Sequence, residues 1–79
     1  MNPGDQLLLA RAKAQERRDR LEARLRTQCE GIAYWTNIHI HGSLESLDEQ
    51  RVLSLAKDFA EGMAEYRRVL EELRQLEAG

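Results

Sequence analysis

The feature that most constrains this chain is a single apolar stripe in its second half. Val52, Leu55, Phe59, Gly62, Tyr66, Val69, Leu73 and Leu76 recur at alternating spacings of three and four, the seam of an amphipathic helix that packs lengthwise on another helix. Ala56, Met63 and Leu70 each follow a seam residue by one position and widen the stripe. One neighbouring helix cannot cover a stripe of that width. The expectation is an all-α chain, an antiparallel hairpin of two long helices that self-associates, most simply as a four-helix bundle dimer.

The rest of the chain fits that architecture. Asn2, Pro3 and Asp5 are an N-cap, a first-turn proline and a carboxylate near the positive end of the helix dipole. The first helix therefore runs from about residue 3 to 37, along Leu7, Ala10, Ala14, Leu21, Leu25, Cys29 or Gln28, Ile32 and Trp35, with a kink expected at Gly31. A connector follows at about 38–46. Asn37 to Gly42 alternates polar and apolar residues like a short extended segment, with Ile38 and Ile40 covering the bundle end, and Gly42-Ser43 supplies turn chemistry. The alternative is that the first helix continues to His41. Ser46 and Glu49 fit a capping box opening a second helix at about 47–77, which frays toward Ala78 and Gly79.

With the turn centred near Gly42 and Ser43, facing residues have numbers summing to roughly 85. That register sets Arg24 toward Glu61, Arg20 toward Glu65 and Lys13 toward Glu72. It also places Ala23 opposite Gly62, Leu25 opposite Ala60 and Leu21 opposite Ala64.

With 79 residues, one domain with a small core is expected, and such a core needs a staple or a partner. Cys29 is the only cysteine, so no intramolecular disulfide supplies that staple, and a reducing cytoplasmic setting is expected. Neither an export signal nor a membrane-length apolar run is visible. Residues 1–42 hold seven basic and five acidic side chains and residues 43–79 hold five and nine, so the halves attract one another when folded back.

Three groups of residues are candidates for function. Tyr34, Trp35, Ile38 and Ile40 form an apolar, aromatic cluster at the turn end, suited to docking a protein partner. Lys13, Arg17, Arg20 and Arg24 form a basic stripe that could hold the phosphates of a nucleic acid or nucleotide, although Glu16, Asp19 and Glu22 interleave with it and no aromatic residue does. His39 and His41 would project to one side if extended and could contribute to a metal site, but no second pair of ligands accompanies them. Leu7, Leu8 and Leu9 cannot all face one neighbour, so at least one is exposed or covered by another chain. No carboxylate pair, activated nucleophile or glycine-rich phosphate loop stands out, and neither catalysis nor a cofactor is expected.

Val52 to Ala60 and on to Tyr66, after a capped turn, resembles the second helix of the small sporulation aspartyl-phosphate phosphatases, which are also helical hairpins. That family carries a serine where this chain has Ala56 and an aspartate where it has Ala60, so phosphatase activity is not implied. In architecture alone, a hairpin that pairs into four helices is similar to the plasmid copy-number proteins that bind RNA. The functional expectation is a non-enzymatic interaction module, a small regulator, inhibitor or adaptor of bacterial or phage type.

Overall fold

Two long helices account for most of the chain. The computed structural model describes residues 3–78, with α1 over Pro3–Trp35, a one-turn α2 over Ile38–His41, a 3-10 turn over Leu44–Ser46 and α3 over Glu49–Ala78. The expected Asn2 cap lies outside the described residues, as does Gly79. α1 and α3 run antiparallel and pack against each other, giving a rod of 61 × 17 × 16 Å. Among the described residues no helix is long and apolar enough to cross a membrane.

The connector departs from the extended reading, and the physical cause is Asn37. α1 tightens at its end, where the Asn37 N–H donates to the Tyr34 carbonyl at 3.2 Å. Asn37 then turns extended, at φ −84 and ψ 103, and its side chain accepts from the His39 N–H at 2.9 Å. This asparagine breaks α1 and caps α2, so Ile38 to His41 are helical and α1 does not run through. Gly42 closes that turn at φ 92, a conformation that L side chains rarely adopt, with its N–H on the Ile38 carbonyl at 2.7 Å.

The cap of α3 also differs from the expected one. Asp48 Oδ1 accepts from the Arg51 N–H at 3.1 Å, making Asp48 the N-cap. Ser46 instead pairs its hydroxyl with that of Ser43 at 3.0 Å. A carboxylate at the positive end of the dipole adds electrostatic stabilisation that a serine hydroxyl lacks.

The register is about two residues from the expected one. Leu25 reaches Gly62, and Arg11 Nη2 donates to the Leu76 carbonyl at 3.4 Å, pairs whose numbers both sum to 87. Ala23, Ala60 and Ala64, expected at the crossing, are exposed. Among the described residues none of the three expected cross-helix ion pairs forms within 4.0 Å. Arg17 takes both glutamates, Glu65 at 3.4 Å and Glu72 at 3.8 Å, and Arg20 turns to Glu16 on its own helix at 3.1 Å. Packing decides this over charge. Seating Leu25 on the one seam position without a side chain, and burying Val69 and Leu73 against Leu21 and Ala14, outweighs exposed ion pairs of about 0–1 kcal/mol each.

The core is short. Ala14, Leu21, Val69 and Leu73 form it, with Tyr66 and Leu76 against its edge, and among the described residues only Val69 is fully covered. It occupies the half of the rod away from the connector. Toward the turn, Ile32, Leu55, Phe59 and Val52 are only half-buried.

Candidate functional site: the aromatic turn end

Where α1 stops, Trp35 becomes the centre of a side-chain cluster drawn from three elements. The His41 ring, carried by α2, stacks on the indole at 5.3 Å and 17°. Tyr34 meets it edge-on at 5.1 Å and 87°, and also meets His41 edge-on at 5.1 Å. The Arg51 guanidinium, from the first turn of α3, lies over the indole 4.5 Å from its centroid. Offset and edge-on aromatic geometries and a cation over an indole are each favourable beyond the area they bury.

The cap by Asn37 is what brings His41 there, because one helical turn folds the chain back over the end of α1. His41 Nε2 sits 3.1 Å from the Tyr34 carbonyl oxygen. A carbonyl only accepts, so Nε2 carries the proton in this contact.

Around this fixed indole the large apolar groups point outward. Tyr34 is 46% exposed, Ile38 41%, Ile40 53% and Leu44 74%, while Trp35 itself is half-buried. Ile38 and Ile40 were expected to cover the bundle end, and they leave about half of their surface open. Leu44 was not singled out from sequence, where it lies inside turn chemistry with no periodic neighbours. The only signal for it was an apolar residue in an otherwise polar loop.

The basic stripe divides. Arg17, Arg20 and Arg24 line one open groove of about 280 Å³ together with Leu21 and Glu65. Arg17 and Arg20 are held by carboxylates, as above, whereas Arg24 and Lys13 have no carboxylate within 4.0 Å among the described residues. Lys13 lies outside the groove lining.

The histidine pair loses the geometry that a metal would need. Two residues apart on a helix, His39 and His41 are about 200° apart around the axis, and His41 is occupied by the aromatic cluster. Among the described residues no group of three or more His, Cys, Asp or Glu is placed to hold a metal ion.

A second groove, of about 440 Å³, runs along the opposite side of the hairpin, lined by Leu25, Cys29, Phe59, Met63 and Tyr66 with Glu22, Arg26 and Glu30 at its edge. Its α3 wall is the widened stripe expected from the sequence. Comparison with family models, with curated proteins and with solved structures finds no match.

Proposed function

We propose that the chain is a non-enzymatic interaction module, a small regulator, inhibitor or adaptor of bacterial or phage type, that acts as a dimer of hairpins and captures a protein partner with its turn end. The observation carrying this reading is the group of outward-facing Tyr34, Ile38, Ile40 and Leu44 around an indole fixed by His41, Tyr34 and Arg51. Aromatic anchors already held in place lose little freedom on docking, which is how a small patch gives useful affinity. The cytoplasm suits this role, since Cys29 is an exposed free thiol.

A photo-crosslinking side chain at Ile40 tests it in cells. An adduct with a different protein is expected, lost on Tyr34→Ala and absent when the crosslinker replaces Asp58. Equal labelling from Ile40 and Asp58, or none from Ile40, would remove the turn end as the docking surface.

A second reading is favoured by one observation, that Arg24, with no carboxylate within 4.0 Å among the described residues, lies beside Arg17 and Arg20 in one groove. There the chain binds phosphates of nucleic acid or a nucleotide. Anisotropy of a labelled oligonucleotide that rises with protein and collapses with salt supports this reading, provided that Arg24→Glu abolishes it. Binding unchanged by Arg24→Glu counts against it.

A further inference from the structure

The hairpin exposes more surface than a chain of its mass does when it folds alone. Its accessible surface is 6053 Å² for 9.1 kDa, whereas a compact monomer of that mass exposes about 4,900 Å². The radius of gyration is 18.0 Å, against about 12 Å for a globular chain of this length. The excess of about 1,100 Å² exceeds the roughly 800 Å² that each partner contributes to a stable interface. One long face of α3 has the chemistry to absorb it. Val52, Phe59, Met63, Tyr66 and Leu70 follow one another along α3 with Ala56 among them, and none of them is buried.

We infer that this face is the seam of a two-fold dimer in which α3 of one copy lies antiparallel on α3 of a second copy, centred near Glu61, with Phe59 of each against Met63 of the other. The proposal rests on the dimer proposed above and names its surface. The occupant is a second copy because the groove edge carries both signs of charge: Glu22 and Arg26 pair at 2.7 Å and Glu30 adjoins them, so each copy brings an arginine to the glutamates of the other. On the opposite side, a self-contact would bring Arg20 and Arg24 against their own copies.

α3 rather than α1 lies at the centre. Along the groove α1 presents Glu22, Arg26, Cys29 and Glu30 beside one leucine, Leu25, while α3 presents only Phe59, Met63 and Tyr66. The antiparallel sense follows from size and charge. About Glu61 the stripe reads the same in both directions, pairing Val52 with Leu70, Ala56 with Tyr66 and Phe59 with Met63. Small then meets large at Ala56, and Glu49 of one copy comes level with Arg74 of the other. A parallel pairing would set Ala56 on Ala56, leaving a void, and Arg74 beside Arg74. The antiparallel axis also sets Glu22 of one copy level with Glu30 of the other, with both Arg26 side chains between them.

Two measurements on the full chain test the seam. Light scattering should give twice 9.1 kDa at tens of micromolar. Met63→Arg should return the mass to that of one chain while circular dichroism keeps its helical signal, and Arg20→Ala should leave the dimer intact. In a Cys29→Ser background, Val52→Cys combined with Leu70→Cys should link two chains on oxidation, and neither single substitution should. Single variants that link to themselves would overturn the antiparallel pairing. A dimer that survives Met63→Arg would place the seam elsewhere. A monomeric wild type removes the dimer altogether, and the turn-end reading then still stands or falls on the Ile40 crosslink alone.

Discussion

Gly62 lies so close to Leu25 that a β-carbon on it would come within 2.9 Å of Leu25 Cδ2 and 3.8 Å of Leu25 Cγ. This is where α1 and α3 approach most tightly through a glycine, and the contact sets the register of the hairpin. Gly62→Leu has no space and should destabilise by about 1–3 kcal/mol. Gly62→Ala should change stability by less than about 1 kcal/mol, because the clash is with the end of one flexible side chain and alanine favours helix by a similar amount. Urea unfolding followed by circular dichroism measures both, and a Gly62→Leu protein as stable as wild type would contradict the crossing.

Core and surface leucines should separate cleanly on α3. Leu73→Ala removes a side chain that is 4% exposed and packs with Val69 and Leu21, so a loss of about 2–5 kcal/mol is expected. Leu53 is 64% exposed on the same helix, and Leu53→Ala should stay within about 0.5 kcal/mol. Equal effects in thermal melts would mean that the inward face of α3 is misassigned.

The start of α3 should depend on Asp48 and not on Ser46. Asp48→Ala removes the acceptor of the Arg51 N–H and should cost about 1 kcal/mol. Ser46→Ala loses only an exposed hydroxyl contact to Ser43 and should cost a few tenths at most, within the range of surface substitutions. Hydrogen exchange at the Arg51 amide gives a local reading, faster in the aspartate variant alone.

Trp35 should matter more to docking than to folding. The indole is half-buried and lies at the turn, away from Ala14, Leu21, Val69 and Leu73, so Trp35→Ala should fall short of the roughly 3–5 kcal/mol that a fully buried tryptophan costs. A loss of about 1–2 kcal/mol with helicity retained, and loss of the Ile40 adduct, is the expected outcome. Arg51→Ala should cost about 0.5–1 kcal/mol through the lost cation contact and should change Trp35 emission. A Trp35→Ala chain that unfolds at room temperature would make the cluster a structural cap.

Local patterns in the sequence determined the two long helices and their antiparallel sense. Spacings of three and four depend only on residues within two turns of each other, and a connector of about a dozen residues leaves helices of this length only one way to pair. The breadth of the stripe at Ala56, Met63 and Leu70 likewise foretold a side of α3 that α1 does not cover. The register was decided in three dimensions. Moving one helix by two residues alters no local periodicity, and it is the seating of Leu25 on Gly62, with the burial of Val69 and Leu73 against Leu21 and Ala14, that distinguishes a sum of 87 from one of 85. The same holds for the connector, where alternation over Asn37 to Gly42 is too short to tell a strand from a turn of helix. There the Asn37 cap and the stacking of His41 on Trp35 selected the helical turn through side-chain contacts that alternation does not encode, and the reach of Arg51 across from α3 adds a contact that only the folded hairpin brings within a few ångströms.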